Sequence, residues 1–280
     1  MRGLLKYYGI ERIYILGAGF SRPAGLPLTC DLIKEVHKKS GTKPWLLGNN
    51  KSAEWGQADW LIDELRYYYP TTRINHKRIL ENKLPIDIEE FLSYVAASSA
   101  FIENTNERWS DHGSKFQSFI KQWLAEVIYD HQVQIEPKQQ ELYNQFAKNL
   151  KKSLIITFNW DTILEDTLRE LEIPFAYDLN TAIETECLAL IKMHGSIDCF
   201  KPRDYNYRNL GKQKFLPLSK SISNMYRYEG DIQDCFNNHM TPYIITPNFD
   251  KLSQLKNFWR LMEHALDIST GRIGSSNNWV

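Results

Sequence analysis

The stretch Ile13-Tyr14-Ile15-Leu16-Gly17-Ala18-Gly19-Phe20-Ser21, continued by Gly25-Leu26-Pro27, constrains this chain more than any other. Its run of apolar residues predicts a short buried strand. The strand leads directly into glycines, and a helical pattern begins near Thr29. Strand, glycine turn and helix together form the layout of a phosphate-binding first turn. Glycines let the backbone approach a diphosphate, and a helix N-terminus offers unpaired N–H groups at the positive end of its dipole. The spacing is Gly-x-Gly-x-Ser, so the Gly-x-Gly-x-x-Gly fingerprint of a dehydrogenase is not met. Taken alone, the turn is equally compatible with a purely steric role for its glycines.

Composition narrows the class. The chain has 280 residues, enough for one large domain or a domain with a subdomain. Lys+Arg and Asp+Glu both number 34, so no global charge favours nucleic acid or an anionic membrane. Leu4-Leu5 is followed at once by Lys6, which argues against a signal peptide, and no run approaches the roughly 20 apolar residues of a membrane span. Cys30, Cys187, Cys199 and Cys235 lie far apart with no Cys-x-x-Cys pair, so a four-cysteine zinc ribbon is excluded. Reduced, mostly buried thiols in a cytoplasmic protein are expected.

Helical periodicity dominates the middle of the chain. A helix is expected over Asp31 to Lys39, with Leu32, Ile33 and Val36 inward, and a shorter one over Trp60 to Tyr69. Asp87 and Glu90 stand at capping-box spacing before Ile88, Phe91, Leu92 and Val95. Further helices are expected over Lys115 to Tyr129 and from Pro137, the latter with Leu142, Tyr143, Phe146 and Leu150 as its inner face. From Ser153 the pattern changes. Leu154-Ile155-Ile156-Thr157-Phe158 reads as a strand buried on both faces. A helix with Ile163, Leu164, Leu168 and Leu171 inward follows, and then strands near Pro174–Tyr177, Leu188–Met193 and Tyr243–Pro247 and a helix over Phe258 to Ile268. Alternating strands and helices imply an α/β fold with a doubly wound parallel sheet. Basic and aromatic residues between Lys201 and Arg227 could serve single-stranded nucleic acid, but in a neutral chain a solvated loop or hairpin is the better reading.

Three strand ends carry polar residues: Gly17 to Ser21, Thr157-Phe158-Asn159-Trp160-Asp161, and His194-Gly195-Ser196. In a parallel sheet all of these fall on the carboxyl edge, where ligands bind. Each has a bland alternative. Asn159, Asp161 and Ser21 could be helix caps, and His194 a turn histidine. Together they supply an anion cradle, an amide, a carboxylate and an imidazole.

These residues resemble a known family. Gly17-Ala18-Gly19-x-Ser21 with Gly25-Leu26-Pro27 is similar to the first NAD-binding motif of sirtuins. Thr157-x-Asn159-x-Asp161 resembles the sirtuin Thr-Gln-Asn-x-Asp motif, and His194-Gly195 the catalytic His-Gly. The likeness is greatest to bacterial sirtuin-like NAD-hydrolase domains of anti-phage defence proteins, and it spans about residues 11 to 268. It implies a single domain over 1–280: a Rossmann-like core of 1–39 and 151–280, with 40–150 as a mostly helical insertion between the first and second strands. Two departures stand out. The zinc ribbon of deacylating sirtuins is missing, and Leu28-Thr29 replaces the family's Phe-Arg pair, which disfavours a deacylase. The family's terminal strand and Gly-Tyr-Ser or Gly-Thr-Ser turn have only Gly274-Ser275 as a counterpart, so a truncated or degenerate end is expected.

The resemblance implies NAD as substrate, no zinc, and hydrolysis to ADP-ribose and nicotinamide. Gly17, Ala18, Gly19 and Ser21 would hold the diphosphate, with Thr157 and Gly195 completing the binding set. Asp161 would accept from ribose hydroxyls, Asn159 would position the ribose or a water, and His194 would be the general base. It also implies a homo-oligomer, with a partner defence protein or ATPase as a further expectation. A non-catalytic NAD or ADP-ribose sensor is the alternative.

Overall fold

The computed structural model describes residues 10–40, 88, 91–93, 115–200, 210–211, 214–218, 225–238 and 240–245. Strand β1 (Arg12–Leu16) leads into a one-turn helix α1 (Ala18–Ser21), a 3-10 turn (Arg22–Ala24) and helix α2 (Thr29–Ser40). Helices α3 (Lys115–Gln132) and α4 (Pro137–Lys148) precede β2 (Ser153–Thr157). Then come α5 (Ile163–Glu170), β3 (Phe175–Ala176), α6 (Leu179–Glu184) and β4 (Leu188–Lys192). The described chain finishes with β5 (Cys199–Phe200), β6 (Phe215–Pro217), β7 (Tyr226–Tyr228) and α7 (Ile232–Asn237).

The main sheet is four-stranded in the order β1-β2-β4-β3, with every pair parallel. Parallel strands need both faces covered, and the sequence provides for that. Leu154, Ala189 and Ile191 on one face pack with Leu179 and Ala182 of α6, while Ile155, Leu188 and Leu190 on the other meet Ala147, Leu150, Leu164 and Leu168. The register sets Leu16 opposite Thr157 and Thr157 opposite Lys192, so the carboxyl ends of β1, β2 and β4 are level. A second sheet, β5-β7-β6, is antiparallel. Its β6–β7 pair lies within the stretch read as a loop or hairpin, with Phe215 and Tyr228 buried.

The helices follow their sequence signals closely. Leu32, Ile33 and Val36 of α2 are buried, as are Ile120, Trp123, Leu124 and Val127 of α3. Helix α4 opens with Pro137 and a reciprocal Glu136–Gln139 capping box. Ile88, Phe91 and Leu92 are helical and buried; the cap before them, Val95 and the helices expected at 60–69 and 258–268 lie outside the described residues.

Four expectations are corrected. Leu142 is 54% exposed, because the inner stripe of α4 is Tyr143, Phe146, Ala147 and Leu150, a run of i, i+3, i+4 and i+7. Tyr243 to Ile245 does not extend the parallel sheet. Ile244 instead forms an isolated antiparallel bridge with Gly195. Cys199 and Cys235 are buried, but Cys187 is half-buried and Cys30 exposed. Phe158 stands just past β2, not within it.

Candidate functional site

The carboxyl edge of β1, β2 and β4 gathers the polar residues singled out from the sequence. A single helical turn starts at Ala18, directly after Gly17, so the longer helix from Thr29 is not the one that abuts the glycines. Gly17 caps that turn in an extended conformation (φ −128°, ψ −173°), and no side chain caps it. Gly17, Ala18 and Gly19 are exposed, and among the described residues a Cβ added at Gly17 or Gly19 would meet nothing within 4 Å. Packing by the described residues demands neither glycine.

Behind this turn lies a hydrogen-bonded knot. The Asn159 side-chain amide donates to the Gly17 carbonyl at 3.0 Å and to Ser21 Oγ at 2.9 Å. Ser21 Oγ in turn donates to Asp161 Oδ2 at 2.6 Å. Asp161 Oδ1 accepts from the Ile163 N–H at 3.3 Å, so Asp161 also serves the first turn of α5. Thr157 Oγ1 accepts from the Asn159 N–H at 3.1 Å, which fixes the chain as it leaves β2. With both amide hydrogens committed, Asn159 Oδ1 accepts from no donor among the described residues.

Asp161 is only 6% exposed, and both its oxygens already serve protein donors. Burial pushes its carboxyl above the ordinary carboxylate value, against the Lys192 charge and the Ser21 hydrogen bond. That placement suits a residue that sets the position of Ser21 rather than one that meets the ligand directly.

A buried ion pair lies below the knot, and sequence reasoning missed it. Lys192 Nζ stands 2.7 Å from Glu165 Oε1, with side chains 3% and 2% exposed, and it also donates to the Asp161 carbonyl. Burial would lower the lysine pKa, but Glu165, Asp198 and Asp161 together raise it above the ordinary value. Asp198 is buried as well, and desolvation raises its pKa. The signal available in the sequence was a lysine closing the apolar run Leu188-Ala189-Leu190-Ile191, a place where an unpaired charge would be costly.

His194 joins the site through the backbone and through a ring contact. The Met193 N–H donates to the Thr157 carbonyl at 2.8 Å, which holds the end of β4 against the end of β2. The imidazole packs edgewise on Phe158, with centroids 5.1 Å apart and planes at 69°. Gly195 has φ +75°, and an added Cβ would lie 2.1 Å from the Tyr243 carbonyl oxygen. The Ile245 N–H donates to the His194 carbonyl and the Ser196 N–H to that of Tyr243, so this turn is clamped by the following chain.

Gly17, Ser21, Thr157, Asn159 and Asp161 thus form one connected unit, Ala18 and Gly19 stand on its open side, and His194 and Gly195 flank it. Trp160 lies between Asn159 and Asp161, and its indole N–H is buried with no hydrogen-bond partner among the described residues.

A cavity of about 490 Å³ lies elsewhere, lined by Arg169, Phe175, Tyr177, Leu216 and Arg227 among others, and none of the residues above lines it. Its arginines are already paired, Arg169 with Asp166 and Arg227 with Glu229. The edge of the parallel sheet, where an amide and a hydroxyl back an exposed glycine turn and an imidazole stands on the neighbouring strand end, is the better candidate. Among the described residues no group of three or more His, Cys, Asp or Glu is placed to hold a metal ion, and no helix is long and apolar enough to cross a membrane.

Compared with protein-family models and with curated proteins, the chain matches none of either, so the candidate site rests on its own geometry.

Proposed function

We propose that this chain hydrolyses the nicotinamide–ribose bond of NAD, releasing nicotinamide and ADP-ribose. The observation that carries the reading is the double hydrogen bond from the Asn159 amide to Gly17 and Ser21. It ties an open glycine turn to a polar strand end beside a histidine. The four-stranded parallel sheet is compatible with a Rossmann-like, doubly wound core, with α3 and α4 belonging to a helical insertion after β1.

Cleavage of an N-glycosidic bond passes through a transition state with oxocarbenium character, as glycoside hydrolysis does. Such a reaction needs a held diphosphate, an oriented ribose and a base near a hydroxyl or water. In this reading the exposed turn at Gly17 to Gly19 takes the diphosphate. Asn159 Oδ1 faces the ribose or the attacking water, and its orientation is set by Ser21 and Asp161. His194 takes the proton, a role to which an imidazole is chemically suited. Water is the acceptor, which agrees with the lack of a zinc ribbon. The resemblance extends the proposal to NAD depletion in anti-phage defence, gated by assembly into an oligomer or by a partner ATPase or defence protein.

The test is purified protein with NAD, followed by nicotinamide release. His194→Ala and Asn159→Ala should each lower the rate roughly 10²–10⁴-fold while the fold is retained by circular dichroism. Unchanged hydrolysis in both variants would refute the assignment. Binding of NAD without any turnover would favour the sensor alternative.

A further inference from the structure

We propose that Phe158, flanked by Ile15, is the platform for the cationic nicotinamide ring of NAD and makes the site select the oxidised dinucleotide. The proposal rests on the NAD reading and adds a specificity-determining residue to it.

The observation is a pair of exposed apolar side chains, one on the edge strand β1 and one just past the end of β2. Ile15 is 71% exposed and Phe158 is 41% exposed, while Leu154, on the same face of β2, is fully buried. Ile15 pairs with Ile156, and the Phe158 N–H donates to the Leu16 carbonyl at 3.0 Å, which continues the ladder by one step. Alternate residues share a face, so Ile15 and Phe158 lie diagonally across neighbouring strands.

One isolated exposed apolar residue needs no explanation. Here two share one face of adjoining strand ends that lead into the glycine turn, and one of them packs on the His194 ring.

The charge of the ligand ring decides the occupant. An aromatic face carries negative quadrupole density and attracts a cation placed over it. The pyridinium of NAD is such a cation and is planar as well. The dihydronicotinamide of NADH is neutral, and ADP-ribose has no ring at that end. A platform of this kind distinguishes all three, whereas the glycine turn, which meets only the diphosphate, distinguishes none.

The experiment is calorimetry on the full chain with three probes: a carbocyclic NAD analogue with an uncleavable glycosidic position, NADH and ADP-ribose. Phe158→Ala should weaken the carbocyclic analogue about tenfold, leave ADP-ribose within about twofold, and erase the preference for the analogue over NADH. Phe158→Trp should retain both affinity and preference, which separates loss of the platform from loss of fold. Equal weakening of all three probes in Phe158→Ala, or no weakening of any, overturns the platform alone. Failure of the wild type to bind any of the three overturns the NAD reading, and the platform with it.

Discussion

Two glycine turns stand at the same sheet edge, and the fold treats them in opposite ways. Gly195 has a positive φ and lies against the Tyr243 carbonyl, so its missing side chain is demanded by the chain itself. Gly17 has ordinary extended angles and, among the described residues, nothing within 4 Å of an added Cβ. The first turn is held from behind by Asn159, and by the Tyr143 hydroxyl, which donates to the Phe20 carbonyl at 2.9 Å. The second follows directly on the buried Lys192–Glu165 pair and is clamped by residues 243–245. A glycine needed for packing is a structural fact about the chain. A glycine next to open space is an invitation to look for a ligand.

The largest effect tests the anchor of the second turn. Lys192→Met leaves Glu165 buried without its partner and should cost about 3–5 kcal/mol, measured by denaturant unfolding at neutral pH. Adding Glu165→Leu should recover most of that loss, because a well-packed apolar pair removes both desolvation penalties. The pH dependence has a definite sign. The Lys192 pKa is raised on folding above its ordinary 10.5, so its contribution is whole below that value and fades as pH climbs through the raised one. Lys192→Met should lack that alkaline step. A loss under 1 kcal/mol at neutral pH would mean that the pair does not anchor the turn.

Gly195→Ala comes next. A left-handed conformation in a non-glycine residue costs about 1–3 kcal/mol, and the overlap with the Tyr243 carbonyl forces the bridge to Ile244 apart as well. Thermal unfolding should register a clear drop in Tm. A variant as stable as the wild type would show that the two turns do not differ as described.

The smallest effect on stability carries the sharpest contrast. Gly17→Ala should leave stability unchanged or raise it by up to about 1 kcal/mol, since alanine narrows the unfolded ensemble without strain in the fold. The same change should weaken NAD binding, because its methyl group enters the space that the proposed reading gives to the diphosphate. If Gly17→Ala binds and turns over NAD normally, the open turn is not a cradle.

Much of this was legible from local patterns. The apolar run at Leu154 to Thr157 and the 3.6-residue stripes of α2, α3 and α5 declare themselves because burial imposes a period on the residues that make it. The grouping of Gly17, Asn159 and His194 was legible too, since parallel pairing places all strand ends on one edge. The Lys192–Glu165 pair was not. Its two charges lie on different elements, and only the approach of α5 to β4 brings them together. Tyr243 to Ile245 misled for a related reason. An apolar run announces burial but not the direction in which it pairs.

What the sequence by itself determined is the kind of the longer elements, the parallel α/β arrangement and the list of groups at the carboxyl edge, because these depend on periodicity and on the geometry of crossover connections. Only the tertiary structure decided which of those groups face inward and which outward. Asp161 faces in, where its oxygens are consumed by Ser21 and Ile163, while Asn159, Phe158 and the glycine turn retain access to the edge. The physical reason is that a hydrogen bond between residues 140 positions apart, such as Ser21 to Asp161, is a property of packing, and no local pattern encodes it.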